Sequence, residues 1–200
     1  MANGTLKVSN IQTSSGSGTI TVGQSGETVD LSNGTITLNS TMKNVPAFEA
    51  YLNTSTGITD NTAVKATFDT ERFDTNNTFS SSRFTPELFD TGGNYDHSTN
   101  YRFTPTTAGK YVVGAKIKFN NCASSRVYTM IYKNGSEYER SEKRNDSSGT
   151  DPDPISNLII DFNGSSDYVE VYGRQESGGS IDTNVGVITR MYFFAYRIGS

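Results

Sequence analysis

The chain has 200 residues, of which 33% are hydrophobic, 11% aromatic and 19% charged, with a formal net charge of −4. Ser, Thr and Asn make up about a third of it, so straight-chain helix formers dominate no long window and a helical bundle is excluded, while 11 Tyr and 11 Phe are too many for a chain that never collapses. Scattered cations leave no basic stripe for nucleic acid, and no run of about 18 apolar residues offers a membrane-crossing helix, so a β-rich protein with an aromatic core is expected.

Residues 1–45 contain no aromatic side chain. They read as short alternating pieces: Leu6-Lys7-Val8, Thr19-Ile20-Thr21-Val22, Thr28-Val29-Asp30-Leu31 and Thr35-Ile36-Thr37-Leu38. Apolar residues at every second position are the period of a half-buried strand. Ser15-Gly16-Ser17-Gly18, Gly23-Gln24-Ser25-Gly26 and Ser32-Asn33-Gly34 separate them, and Asn33-Gly34 suits a two-residue hairpin turn. Their apolar set is too small to stand alone without disulfides, metals or partners. Either copies of the segment cover one another, or it is a loose arm that orders on docking. The first residues, Met1-Ala2-Asn3-Gly4-Thr5, carry neither a charged nor an apolar leader region, so no export signal is expected. Cys122 is alone, which leaves no disulfide framework and fits synthesis in a reducing cytoplasm.

Val45-Pro46 marks a boundary, and residues 46–200 form the second expected domain. Strands are predicted over Tyr111–Phe119, Val127–Tyr132, Asn157–Phe162, Tyr168–Tyr172 and Met191–Ile198. In the first, Tyr111, Val113, Ala115, Ile117 and Phe119 share one face, and Lys116 and Lys118 take the other. Lys133-Asn134-Gly135-Ser136 and Asn163-Gly164-Ser165-Ser166 are turns. Eight or more strands at this spacing predict an all-β two-sheet sandwich, a jelly roll. Phe73-Asp74-Thr75 leading to Arg83-Phe84-Thr85-Pro86 is repeated as Phe89-Asp90-Thr91 leading to Tyr101-Arg102-Phe103-Thr104-Pro105, too short a unit for a solenoid. Asp151-Pro152-Asp153-Pro154 is held extended by its prolines.

No catalytic, cofactor or metal residue is expected. His97 is the single histidine, in the polar turn Asp96-His97-Ser98-Thr99, so a Ser-His-Asp system has no other base. Glu137, Glu139 and Glu142 are close in sequence, as paired glycosidase carboxylates must be in space, but an exposed charged strand explains them better. Asp161 to Asp167 begins like a calcium loop, yet its glycine is misplaced and Tyr172 stands where a bidentate carboxylate belongs. No nucleophile elbow, Walker loop or dinucleotide fingerprint occurs. Binding remains. Gly92 to Asn100, Asn145 to Pro154 and Arg174 to Thr183 have the composition of recognition loops. Asn94, Tyr95, Asp96, His97, Arg174 and Gln175 are the candidate contacts.

Pro46-Ala47-Phe48-Glu49-Ala50-Tyr51, then Phe89-Asp90 with Gly92-Gly93-Asn94-Tyr95-Asp96, then Phe103-Thr104-Pro105-Thr106-Thr107-Ala108-Gly109-Lys110-Tyr111, and the closing Phe193-Phe194-Ala195-Tyr196-Arg197-Ile198 share a pattern. Through them, Pro46 to Ile198 resembles the globular head of the complement-first-component and tumour-necrosis-factor superfamily. Met1 to Val8 with Ile11 to Thr21 is similar to the opening of tail-fibre or virion structural proteins of marine bacteriophages. The collagen-like stalk of the complement relatives is absent, and the Phe-Asp-Thr repeat departs from the simplest family pattern. The resemblance implies a homotrimer with Tyr111, Tyr192 and Phe194 near the axis, unless these rings form the core of each protomer. It implies a phage virion structural protein, a short trimeric fibre or spike. Residues 1–45 would attach it to other virion proteins, and its head would bind a host surface glycan or protein. The alternative is a capsid head-fibre or decoration subunit, or a tail adaptor, that recognises nothing. Either would be made in the host cytoplasm, reside on the virion and insert in no membrane.

Overall fold

A computed structural model describes residues 46–74, 93–122, 125–145, 151–183 and 191–199. The chain divides into two units, Met1–Asn39 and Ser40–Ser200, and the described residues all fall in the second. The strands expected in residues 1–45, the second Phe-Asp-Thr copy at 89–91, and residues 92 and 146–150 of the predicted loops lie outside them.

The described residues are all-β, with no helix. One sheet has five strands in the order β10 (Ile155–Phe162), β7 (Gly109–Lys116), β13 (Tyr192–Gly199), β1 (Ala47–Tyr51) and β4 (Thr70–Asp74). The second runs β5 (Tyr95–Asp96), β6 (Arg102–Phe103), β11 (Val169–Gln175), β8 (Ser125–Lys133) and β9 (Ser136–Asn145), with β3 (Val64–Lys65) also on β11. A small third pairs β2 (Gly57–Ile58) with β12 (Ile181–Asp182). Every strand pair is antiparallel.

Alternation decides which side chains go between the sheets. Tyr111, Val113 and Ala115 of β7 are fully buried, as are Phe193 of β13 and Phe48 and Ala50 of β1. Phe48 is the hub. Its ring stacks on Tyr95 at 4.5 Å and on Phe103 at 4.6 Å, and meets Phe193 edge-on at 4.8 Å. One aromatic side chain thus joins β1 and β13 of the first sheet to β5 and β6 of the second, in the geometries that ring quadrupoles favour.

The predicted long strand through Phe119 ends at Lys116, although Ile117 and Phe119 stay buried on the same face and Phe119 makes an isolated bridge to Thr183. The extended Asp151–Pro154 segment takes over. The Pro152 carbonyl accepts from Phe119 N–H at 3.0 Å, and the Pro154 carbonyl accepts from the Thr129 hydroxyl at 2.8 Å. Its two carboxylates take Lys118 and Lys116, each at 3.0 Å. The Asn134-Gly135 turn joins β8 to β9 with positive φ at both residues, 53° and 78°, as a two-residue hairpin requires.

Of the two sequence readings of Tyr111, near an axis or in the core, its burial matches the core. It is fully buried, packs edge-on against Phe103 and Phe162, and donates its hydroxyl to the Thr107 carbonyl at 2.7 Å. Burial pushes its phenol up to about 12. Alternation aims it between the two sheets, into the core.

Candidate binding surfaces

The six candidate contact residues divide into two groups that the fold keeps apart. Asn94 to His97 lie on β5 and its following turn, in register with β6 (Asp96 opposite Arg102). Arg102 in turn stands opposite Glu170, while Arg174 and Gln175 sit four and five residues further along β11. That separates the groups by more than ~13 Å along the strand, with β6 between them.

Three of the six are internal. Asn94 is 2% exposed, and its Oδ1 accepts from Thr106 N–H at 3.0 Å, fixing the approach to β7. Tyr95 is buried under Phe48 and donates its hydroxyl to the Phe68 carbonyl at 2.8 Å. Gln175 is fully buried, and its amide donates to the carbonyls of Ile58 and Gly179 while its Oε1 accepts from Ser177 N–H. These residues shape loops from within and are not available as contacts.

The other three reach solvent. Burial alone would raise the Asp96 carboxyl. Donation from the N–H groups of Thr99, Ser98 and Asn100 and from the Asn100 amide outweighs it and holds Asp96 well below the usual carboxylate range. His97 is part-exposed, with Nδ1 2.6 Å from Glu71 Oε1, a contact that ties the β5 turn to β4 of the other sheet. The Arg174 guanidinium lies 5.3 Å from the Tyr128 ring centre and 3.0 Å from Glu176.

Arg174 belongs to the outer face of the six-stranded sheet, which is polar and neutralises itself. Tyr128 and Met130 are covered there, with Arg140 and Arg174 over the Tyr128 ring. Arg126 pairs with Glu142, Arg140 with Glu137 and Lys65 with the buried Glu170. Glu137 and Glu142 are therefore held by arginines on an exposed strand, as their sequence context predicts. Tyr132 and Tyr172 stack at 4.1 Å, and burial with the neighbouring Glu170 pushes Tyr172 up to about 12. In the turn after β10, Asp167 faces Lys133 at 3.2 Å and Asn134 at 2.8 Å, so cationic and amide donors already hold the carboxylate of the calcium-like segment.

The outer face of the five-stranded sheet is different in kind. Its rows are fixed by register. Ile159, Val112, Tyr196 and Ala47 form one, and Asn157, Gly114, Phe194 and Glu49 the next. Ile155, Lys116 and Tyr192 form a third. Ile159 is 58% exposed, Ile198 50%, and Ile155 and Tyr196 45% each. Tyr192, Phe194 and Tyr196 run down β13 as an aromatic row, with centroids 5.7 and 6.1 Å apart. Ion pairs edge the patch: Arg72 with Glu49, Lys110 with Asp161 and Lys116 with Asp153. An apolar, aromatic centre inside a charged rim is the anatomy of a protein interface.

Two of the three rings expected near an axis, Tyr192 and Phe194, lie on this face; Tyr111 does not. Tyr196, Ile198, Ile155 and Ile159 were not singled out from sequence. For Tyr196 and Ile198 alone a signal was present: Tyr192 to Ile198 is apolar at both alternating positions for most of its length, the mark of a strand covered on both sides.

No family model matches the chain, and no curated protein matches it in sequence. Solved structures do match in fold. The Eiger tumour-necrosis-factor protein of S. frugiperda aligns with TM-score 0.55 at 8% identity, over 78% of this chain and 94% of that one. Murine APRIL at pH 5.0 aligns with TM-score 0.52 at 8% identity, over 78% of this chain and all of that one. The globular domain of a zebrafish complement 1qA protein aligns over 76% of this chain and 97% of its own at 13% identity, with a lower TM-score of 0.43. The described residues thus have the tumour-necrosis-factor-like jelly-roll fold.

Proposed function

We propose that this chain is the subunit of a homotrimeric head, which assembles through the outer face of its five-stranded sheet and binds a ligand without transforming it. The observation that carries the reading is the half-exposed set Ile155, Ile159, Tyr196 and Ile198 around Phe194. A contiguous apolar patch of this kind marks an interaction site. Connectivity favours identical copies as its cover. Residues 1–45 hold too few apolar positions to bury one another, and they lead into β1, which pairs with β13 in this same sheet. Chains joined through one part hold the other at high effective concentration.

The head is read as part of a phage virion, a short fibre or spike. This rests on the likeness of the opening residues to phage tail-fibre proteins. Residues 1–45 attach it to other virion proteins, and part-exposed His97, on the turn that Asp96 holds, and Arg174 face a host surface glycan or protein. Three copies multiply a weak single-site affinity.

Light scattering on the full chain tests the assembly. A mass about three times the 21.8 kDa protomer is expected, and a protomer mass at every concentration overturns it. Purified protein is further expected to adsorb to host cells and compete with phage for them. A trimer that competes on no susceptible host replaces the receptor role with that of a decoration or adaptor subunit.

A further inference from the structure

Gly114 lies at the middle of the exposed face, on β7, between Phe194 of β13 and Asn157 of β10. A glycine inside a strand weakens it, because it orders more backbone freedom and offers no side chain to pack. Nothing in the backbone asks for one here: Gly114 is not among the residues with positive φ. Space is the reason. A β-carbon on Gly114 would overlap Cε1 and Cζ of Phe194 and Oδ1 of Asn157. The edge of the Phe194 ring occupies the volume that any other residue at 114 would fill.

The ring is therefore held from several directions. Tyr192 and Tyr196 flank it along β13, Asn157 bounds it from β10, and Gly114 lies beneath. An aromatic side chain hemmed in by such neighbours, at the centre of an apolar patch, loses little freedom when a partner closes over it. Central rings of this sort carry a disproportionate share of association energy.

We propose that Gly114 is the specificity-determining position of the self-association face: it seats Phe194 as the central anchor against a second copy of this chain. The inference rests on the self-association reading above. A side chain at 114 displaces the ring and ruins the fit between copies. It leaves each sandwich intact, because both obstructing groups are side chains on the outer face and neither belongs to the core.

A double-mutant cycle on the full chain tests this. Self-association is measured by sedimentation equilibrium for the wild type, Gly114→Ala, Phe194→Ala and the double variant, with Gly179→Ala, which has nothing within 4 Å, as control. Gly114→Ala is expected to weaken association about tenfold or more while keeping the wild-type far-ultraviolet circular dichroism, and the control is expected to match the wild type. In the Phe194→Ala background the glycine change is expected to cost nothing further, since the ring it displaces is gone. A Gly114→Ala protein that assembles like the wild type refutes the inference, and so do losses that simply add in the double variant. Should Gly114→Ala fail to fold, Phe194→Ala decides alone: unchanged association refutes the anchor, and a loss of about tenfold supports it. A wild type that never leaves the protomer mass refutes the self-association reading itself, a separate failure.

Discussion

Asp96 is the residue on which the turn after β5 depends. Its carboxylate gathers the N–H groups of Ser98, Thr99 and Asn100 at 3.0, 2.8 and 3.0 Å. Its folded pKa is depressed below the ordinary 3.8, so its contribution is complete above that value and is lost as pH falls through and below it. Asp96→Ala is expected to cost about 1–2 kcal/mol at pH 7, with the gap to wild type narrowing between pH 4 and pH 2 in urea unfolding. A gap that holds constant over that range contradicts the assignment. The same residue shows what the sequence left open. Asn94, Asp96 and Gln175 stand in segments rich in Asn, Asp, Ser and Gly, where amides and carboxylates bond to the chain's own backbone as readily as to a ligand. Composition marked the segments, but only the partners Thr106, Ser98 and Ile58 show that these side chains hold their own loops in shape.

At the scale of elements, the long strands were legible from their apolar and β-branched runs: β7, β8, β10, β11 and β13 lie where those runs put them, although β7 ends at Lys116 and not at Phe119. The two-residue strands β2, β3, β5, β6 and β12 were not, because two residues hold no period and pair only where neighbouring strands present an edge. Turn chemistry was readable at Asn134-Gly135 and Asn163-Gly164, yet the two glycines carry different weight. Gly135 has a φ of 78°, and a β-carbon there meets only the Tyr168 hydroxyl at 3.4 Å. Gly164 has a φ of 70°, and a β-carbon there would run into the backbone of Thr107 and Ala108. Gly135→Ala is expected to cost about 1 kcal/mol, from backbone conformation alone. Gly164→Ala is expected to cost about 2–3 kcal/mol, because the segment entering β7 must also move. Equal losses of denaturant midpoint in the two variants contradict this account of the β10–β11 turn.

At the scale of the molecule, the two sheets treat their outer faces in opposite ways. The six-stranded sheet covers Tyr128 with arginines and supplies glutamates to neutralise them. The five-stranded sheet leaves Ile155, Ile159, Tyr196 and Ile198 half open and confines its charges to the rim. The sandwich itself was legible from strand count and turns. The asymmetry was not, because it depends on which strands become neighbours: Ile159, Val112 and Tyr196 come from separate stretches of chain and form one row only through register. The most direct measurement is hydroxyl-radical footprinting of the full-length protein, comparing Tyr196 with Tyr138. In the single chain the two are similarly open, at 45% and 52%, but Tyr138 lies on the charged strand β9 and Tyr196 on the apolar face. If identical chains cover that face, Tyr196 is modified several-fold more slowly than Tyr138; equal rates for the two would contradict the account.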